Sequence, residues 1–295
     1  MNSVKIFNKE GLEFLSDLPD NSVDLILTDP PYITSKETGM DKWVDHVAKQ
    51  DDSESVDVMT EEDWKNFKSS EWWHHFFRKG NTHIKFWAKH RSKMKKDFLK
   101  YGSIYGKKYA VRTDYGKWDS EFTMEKLELF VNHFHRVLKD GGTCIIFFDL
   151  WKISYLKEQL ENTKLKQIRF IEWIKTNPQP VNSSVNYLTN CREIALLGIK
   201  KSKPTFNSKY DKGIYEYPIY GGKDRFHPTQ KSLLLFEDLI KKHSNEGDVI
   251  LDCFLGSGTT ALAARNTGRK FIGCELDKEY YDRCMERMIL TKTTE

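Results

Sequence analysis

The sequence lacks the features that mark membrane-spanning and secreted proteins. Its 295 residues contain no apolar run of about 18, the length that a transmembrane helix requires. The first five residues lack the apolar core of a signal peptide. Cysteine is scarce, with five residues and no C-x-x-C pair, so neither a disulfide framework nor a zinc site is predicted. We therefore expect a cytoplasmic protein that has reduced thiols, binds no metal and has no membrane partner.

The net charge is also small, at +4, but the charges are unevenly distributed along the chain. Residues 37–63 carry a charge of −8, whereas residues 64–117 carry +12 and contain thirteen aromatic side chains. Lysine and arginine neutralise phosphates and aromatic rings stack on bases, so this composition predicts contact with nucleic acid. The alternative is a solvated helical face over a small separate core.

Short apolar strands alternate with amphipathic helices outside this basic stretch. Strands are predicted at residues 23–28, 143–148, 168–174, 194–199, 249–253 and 270–275. Helices are predicted at residues 124–138, 233–240, 261–266 and 277–290. The alternation is typical of an α/β fold, with a largely parallel sheet covered by helices on both faces. Residues 33–116 break the alternation and are predicted to be an inserted segment of helices and loops, rich in basic residues.

A glycine-rich turn follows the strand at residues 249–253. Residues 256–261 fit the pattern G-x-G-x-x-A, in which glycine permits a tight turn and a close approach of the ligand. Glu275 lies 17 residues after Gly258, at the end of the next strand, where an acidic residue can bind a ribose. The turn therefore predicts a nucleoside cofactor. NAD, FAD and S-adenosylmethionine all use variants of it, and a purely structural turn is the remaining alternative.

A second motif, Asp-Pro-Pro-Tyr at residues 29–32, follows the first apolar strand directly. It places a carboxylate at the carboxyl end of a strand, where open α/β sheets bind ligands. The two prolines end the strand and fix the direction of the backbone. Because the carboxylate can accept a hydrogen bond from an exocyclic amine while the tyrosine ring stacks on a flat face, the motif indicates a pocket for a planar base. A strand-ending turn without a function is the alternative.

Five motifs in one order resemble the beta group of amino-group DNA methyltransferases, and the adenine-N6 enzymes in particular. They lie at residues 18–32, 136–142, 173–180, 227–231 and 251–260, so the resemblance covers most of the chain outside the insertion. The catalytic motif precedes the cofactor motif, as it does in this group. Ile33, Ser232 and Cys253 depart from the usual motifs and leave the class intact.

The insertion is the larger departure from the family. The family usually recognises its DNA target through a segment before the His-Pro-Thr-Gln-Lys motif at residues 227–231, and that space is short here. We therefore predict that residues 1–32 and 117–295 form the catalytic domain and that residues 33–116 supply much of the DNA recognition. The DNA contacts are predicted at Lys93, Lys95, Lys96, Lys107, Lys108, Asn177 and Pro178.

The resemblance also implies a Rossmann-like methyltransferase sheet, a cofactor and a set of site residues. Asp29 and the backbone carbonyl of Pro30 would accept hydrogen bonds from the amino group of a flipped-out adenine, next to Pro31, while Tyr32 would stack on the base. The implied cofactor is S-adenosyl-L-methionine. The cofactor-binding residues would be Glu10, Thr229, Lys231, Asp252, Phe254, Gly256, Ser257, Gly258 and Glu275.

Four alternatives stay open on the sequence. A cytosine-N4 DNA methyltransferase shares the scaffold, although Ser is more common there at the position of Asp29. An RNA adenine methyltransferase, the second alternative, uses a similar tetrapeptide. The third is a NAD-dependent oxidoreductase that uses the glycine-rich turn, an interpretation in which residues 29–32 have no role. The last is a DNA-binding relative without activity. Double-stranded DNA in a prokaryotic or virus-infected cell is the expected partner, and a homodimer and a cognate restriction endonuclease are left open.

Overall fold

A computed structural model describes most of the chain. The described residues are 3–31, 59–70, 73–74, 91–102, 104, 122–178, 191–201, 203–221, 225–227 and 229–291. The chain divides into two compact units, one formed by Met1–Ile33 with Tyr115–Glu295 and the other by Thr34–Asp114. Within the described part of the chain, no helix is long and apolar enough to cross a membrane.

The larger unit is built on an eight-stranded sheet. Its strands are β1 (Val4–Asn8), β2 (Val23–Thr28), β3 (Leu138–Phe148), β4 (Leu165–Lys175), β5 (Arg192–Lys200), β6 (Ile214–Tyr217), β7 (Val249–Asp252) and β8 (Lys270–Glu275). Their order is β1-β8-β7-β2-β3-β5-β4-β6. The five strands from β1 to β3 in this order are parallel, while β5 is antiparallel to both β3 and β4 and β6 is parallel to β4. The sheet is therefore mixed. The sequence did not predict the antiparallel direction of β5, because an apolar run predicts a buried strand but does not give its direction.

Eight α-helices lie in the described part of the chain. They are α1 (Gly11–Ser16), α2 (Glu61–Ser69), α3 (Arg91–Tyr101), α4 (Met124–Val137), α5 (Ile153–Asn162), α6 (Leu233–His243), α7 (Thr259–Asn266) and α8 (Lys278–Leu290). The six helices of the larger unit confirm the prediction of a sheet with helices on both faces. The short elements β1, α1 and β6 were not predicted, because each offers too few apolar positions for a clear period. The helix α5 was also missed, although Ile153, Leu156 and Leu160 stand at helical spacing.

Alternate residues of the strands separate the two halves of the core. Leu25 and Leu27 of β2 belong to the apolar cluster that includes α6, α7 and α8. Ile26 of the same strand belongs to the cluster formed with α1, α4 and α5. Successive side chains of a strand point to opposite faces, so a strand covered on both faces is apolar at every position. This explains the continuous apolar runs in the sequence.

The smaller unit has its own small core. Trp64 on α2 packs against Phe98 on α3, with ring centroids 5.3 Å apart, and Met94 is fully buried beside them. Thr60 begins α2 with a capping box, in which its side chain and that of Asp63 each bond to the other residue's backbone N–H. The described part of the insertion is thus largely helical. This core does not test whether the insertion recognises DNA, so that role stays a prediction.

Candidate active site

Several polar side chains meet where the parallel strands end, an edge that we call the carboxyl edge. Asp29 follows β2, Asp252 is the last residue of β7 and Glu275 is the last residue of β8. Because β2, β7 and β8 are adjacent and parallel, their ends lie side by side. Open α/β sheets bind ligands at this edge. The fold thus brings the predicted catalytic motif and the predicted cofactor motif together.

Asp29 is a largely buried carboxylate with one paired and one unpaired oxygen. Its Oδ2 lies 2.9 Å from Nζ of Lys231. Its Oδ1 is buried and has no hydrogen-bond partner among the described residues. Burial raises the pKa of Asp29 to about 6, against the opposing charge of Lys231, and the negative charges of Glu193 and Asp252 add to the rise. Pro30 is buried and Pro31 half-buried, while Tyr32 lies outside the described residues.

Lys231 links Asp29 to a second carboxylate and a second lysine. Its ammonium group, on a side chain only 7% exposed, also donates to Oε2 of Glu193. The other oxygen of Glu193, Oε1, lies 2.7 Å from Nζ of Lys175. Burial tends to raise the pKa of Glu193, but Lys231 and Lys175 outweigh it and hold that pKa below its usual value. We call these four side chains the Asp29 network.

The topology explains how the Asp29 network assembles. Lys175 ends β4 and Glu193 lies near the start of β5. Because β5 is antiparallel to both β3 and β4, its first residues lie at the carboxyl edge. Lys231 comes directly before Ser232, the N-cap of α6. The sequence assigned Lys231 to the cofactor, and its pairing with Asp29 was missed because no local pattern joins residues so far apart in the chain.

Asp252 anchors the glycine-rich turn from inside the protein. Its Oδ1 accepts hydrogen bonds from Oγ1 of Thr28 at 2.6 Å and from the backbone N–H of Phe254 at 3.0 Å. Its Oδ2 accepts from Oγ1 of Thr260 at 2.6 Å. Burial raises the pKa of Asp252, and these hydrogen bonds oppose the rise. The side chain therefore ties the turn to β2, and its predicted contact with a cofactor stays a prediction.

Glycine is required at two positions of the turn. Gly256 and Gly258 have φ angles of 51° and 78°, in the left-handed region that favours glycine. A Cβ atom at Gly258 would collide with Sγ of Cys284, and one at Gly256 would lie 3.2 Å from Nε2 of His227. Gly258 is also the N-cap of α7. At both positions the side-chain direction points at other protein atoms, so the packing of the turn, as well as its backbone angles, requires glycine.

Glu275 closes the other side of the turn. Its Oε2 accepts a hydrogen bond from the backbone N–H of Gly256 at 2.6 Å, and its Oε1 accepts from that of Asp277 at 2.9 Å. Burial raises the pKa of Glu275 to about 7, and the two backbone hydrogen bonds oppose the rise. Each carboxylate oxygen can accept a second hydrogen bond. Glu275 therefore retains acceptor capacity for the hydroxyl groups of a ribose.

Three further predicted cofactor residues make contacts within the protein. Phe254 packs on Phe130, with ring centroids 4.6 Å apart. The backbone carbonyl of Ser257 accepts a hydrogen bond from Arg287. Glu10 is the N-cap of α1, where its Oε2 accepts from the backbone N–H of Glu13. These contacts fix the local structure, and the roles of the three residues toward a cofactor stay predictions.

His227 was part of a recognised motif but received no role from the sequence. Its ring contacts that of Tyr280, with centroids 4.5 Å apart, and its Nδ1 lies 3.1 Å from Oγ1 of Thr229. Burial, together with the charges of Lys231 and Arg225, lowers the pKa of His227 to about 4. The ring is therefore neutral at physiological pH. It borders the turn at Gly256 and holds Thr229, a predicted cofactor residue, beside it.

The residues predicted to bind DNA fall into three groups. Lys93 and Lys96 on α3 are exposed, and Lys95 pairs with Glu61 at 2.8 Å. Lys107 and Lys108 lie outside the described residues. Asn177 binds the backbone of Ile219 through its amide, with Oδ1 accepting from the N–H at 2.7 Å, and Pro178 is half-buried beside it. Among the described residues there is no cluster of His, Cys, Asp and Glu that could hold a metal ion.

Known proteins resemble this chain over most of its length. The sequence pattern of the DNA methylase family N6_N4_Mtase matches residues 23–286. The Type II methyltransferase M2.DpnII of Streptococcus pneumoniae is 34% identical in an alignment 198 positions long, gaps included, which covers 61% of this chain and 74% of that protein. The Type II methyltransferase M.HinfI of Haemophilus influenzae is 26% identical in an alignment 305 positions long, gaps included, which covers 96% of this chain and 67% of that protein.

Solved structures agree in fold. The crystal structure of the M1.HpyAVI–SAM complex matches with a TM-score of 0.58 and 25% identity, over 97% of this chain and 98% of that one. The cytosine-N4-specific PvuII DNA methyltransferase matches with a TM-score of 0.61 over 97% of this chain and 86% of that one, at 14% identity, which is a likeness of fold alone. The Rossmann-like methyltransferase sheet and the resemblance to amino-group DNA methyltransferases are thus confirmed. The chain belongs to the N6/N4 family of DNA methylases.

Proposed function

We propose that this DNA methyltransferase transfers a methyl group from S-adenosyl-L-methionine to N6 of an adenine that is flipped out of duplex DNA. The observation that carries the proposal is the buried, unpaired Oδ1 of Asp29 at the carboxyl edge. A buried acceptor without a partner costs roughly 1 to 3 kcal/mol, so a donor from a bound ligand is expected there. The exocyclic amino group of a base is such a donor.

The chemistry requires charge stabilisation more than it requires a base. The lone pair on adenine N6 is delocalised into the ring, and the nitrogen gains positive charge as it forms the new bond. The carboxylate of Asp29 would accept a hydrogen bond from the amino group and stabilise this charge in a site with little water. By the family resemblance, the carbonyl of Pro30 is a second acceptor and Tyr32 stacks on the base. The base must leave the duplex to reach these groups.

The second half of the carboxyl edge suits the cofactor. S-adenosylmethionine, when bound, supplies a methyl group on a sulfonium, which is already an activated electrophile. The free lone pairs of Glu275, whose Oε2 already accepts from the backbone N–H of Gly256, would accept hydrogen bonds from the ribose. The M1.HpyAVI structure, which was solved with SAM, supports this assignment by its likeness over the whole chain.

Adenine is preferred over cytosine because an aspartate begins the catalytic tetrapeptide. Cytosine-N4 methylation is the second candidate, since the PvuII enzyme, which is cytosine-N4-specific, has the same fold. Both reactions methylate an exocyclic amino group beside a ring nitrogen, so the fold alone does not choose between them. Relatives named Type II methyltransferases support a role in a restriction-modification system, with duplex DNA as substrate and a cognate endonuclease as partner.

Analysis of the methylated nucleoside tests the proposal. Duplex DNA from a strain that lacks DNA methyltransferases is incubated with the purified protein and S-adenosylmethionine, digested to nucleosides and analysed by mass spectrometry. We expect N6-methyldeoxyadenosine from the wild type and none from Asp29→Ala. N4-methyldeoxycytidine would favour the second candidate. A thermal shift with NAD and none with S-adenosylmethionine would instead point to an oxidoreductase.

A further inference from the structure

We propose that Lys231 is a positioning residue for the catalytic carboxylate: it holds Oδ2 of Asp29 and thereby leaves Oδ1 free for the amino group of the target base. This inference rests on the proposed function and adds a role that the sequence did not assign, since the sequence placed Lys231 at the cofactor. Lys231 would act through Asp29, without touching the base itself.

The contacts of Lys231 fix its ammonium group on three sides. Nζ lies 2.9 Å from Oδ2 of Asp29 and also donates to Oε2 of Glu193. The ammonium lies 5.3 Å from the centroid of the Phe147 ring, which is fully buried on β3. Only 7% of the side chain is exposed, so little water competes for these contacts. A buried lysine held in this way stays in one place while a base enters.

The pairing with Lys231 also fixes the orientation of the Asp29 carboxylate. The two oxygens of a freely rotating carboxylate are equivalent, but rotation can turn both of them away from a donor. With Oδ2 held by Lys231, the plane of the carboxylate is fixed and the unpaired Oδ1 keeps one position and direction. Catalysis depends on such preorganised acceptors, because their orientation is set before the reaction begins.

Burial has the largest effect on the pKa of Asp29, and three charged groups around the carboxylate modify that pKa. They are Lys231 before α6, Glu193 on β5 and Asp252 at the end of β7. Glu193 and Asp252 disfavour a negative charge on Asp29, and Lys231 favours it. Lysine at this position therefore lowers the pKa of Asp29, against the rise that burial and the two other carboxylates cause.

Single-turnover rates as a function of pH test the proposal, with enzyme in excess over methyltransferase-free duplex DNA and tritiated S-adenosylmethionine. In the wild type the rate should rise with pH as Asp29 ionises. In Lys231→Met the rising limb should move to higher pH by at least about one unit, because the favourable charge is gone. In Glu193→Gln the limb should move to lower pH, because a like charge is gone. Lys231→Arg keeps the charge and should restore the wild-type limb.

Lys242→Met is the matched control. Lys242 lies on α6 and pairs with two carboxylates, Asp211 at 2.8 Å and Asp238 at 3.1 Å, outside the Asp29 network. Replacing Lys242 by methionine should leave the rising limb of the pH–rate profile at its wild-type pH. A loss of rate in Lys231→Met that is equal at every pH would contradict the proposal. So would a raised KM for S-adenosylmethionine with an unmoved limb, which would return Lys231 to the cofactor.

A second measurement separates this inference from the proposed function. Thermal unfolding of the ligand-free protein is compared for Asp29→Asn, Lys231→Met and the double variant. If the pair interacts, the double variant loses less stability than the two single losses together. Strict additivity would overturn the pairing even if methylation occurs, whereas coupling without any methylated base would refute the proposed function alone. If Lys231→Met does not fold, two other variants test the proposal. The rising limb should move to lower pH in Glu193→Gln and should keep its wild-type position in Lys231→Arg.

Discussion

The two halves of the carboxyl edge are held by different interactions. At the Asp29 network, charged side chains from β4, β5, the residue after β2 and the residue before α6 hold one another. At the glycine-rich turn, backbone N–H groups of Gly256 and Asp277 hold Glu275, and three internal donors hold Asp252. The first half therefore depends on charge, and the second on backbone geometry. Substitutions that alter charge and substitutions that alter shape should affect them differently.

Asp29→Ala should have the largest effect. It removes the acceptor for the amino group and the charge that stabilises the transition state, so methyl transfer should fall by at least about 100- to 1000-fold. The cofactor side of the edge does not use Asp29, so the affinity for S-adenosylmethionine, measured by calorimetry, should stay near that of the wild type. Near-normal turnover would overturn the catalytic assignment, and loss of cofactor binding would show that the two halves are not separable.

Gly258→Ala should damage the cofactor half through shape alone. Alanine at a φ of 78° is strained, and its Cβ would collide with Cys284, so the loss of stability should be on the order of 1 to 3 kcal/mol. Chemical denaturation measures this loss, and calorimetry should show weaker cofactor binding. Gly247→Ala is the matched control, since Gly247 has a φ of 84° but open space around a Cβ. Equal losses in both variants would mean that strain alone, without the collision, decides the effect.

Glu275→Gln should change the pH dependence of stability. The pKa of Glu275 is about 7 in the folded protein, compared with the ordinary value of 4.5 that applies to the unfolded chain. The folded state therefore binds the proton more tightly than the unfolded state. The contribution of Glu275 to stability is present below about pH 4.5 and is lost as the pH rises through 7. The glutamine variant should remove this loss, which is about 3 kcal/mol. Unfolding free energies measured between pH 5 and 8.5 should be flatter in the variant, and an unchanged slope would contradict the raised pKa.

The double variant Lys93→Ala/Lys96→Ala alters the smaller unit and should have the smallest effect on turnover. Both side chains are exposed on α3, and each phosphate contact that is lost should reduce the salt dependence of DNA binding by about one unit of slope. The measurement is the dissociation constant for duplex DNA between low and moderate salt. An unchanged slope would show that these lysines do not contact DNA, and the pH limb assigned to Asp29 should not move in either case.

The sequence predicted the parts of the site that depend on neighbouring residues. The turn at Gly256 and Gly258 requires a left-handed backbone, which glycine signals directly, and the prolines after Asp29 mark the end of β2. The pairing of Asp29 with Lys231 depends on how distant segments meet, and no periodicity or motif encodes that. The antiparallel direction of β5, which brings Glu193 to the carboxyl edge, was missed for the same reason. Family resemblance named Lys231 as a cofactor residue, and that role stays a prediction beside the pairing with Asp29 that the structure shows.

Sequencing the DNA of cells that express the protein, with a method that reads modified bases, tests the central claim most directly. Wild-type cells are compared with cells that express Asp29→Ala. The account predicts N6-methyladenine at one short recurring sequence in the wild type and none at that sequence in the variant. N4-methylcytosine at a recurring sequence, or the same adenine methylation in both, would contradict it.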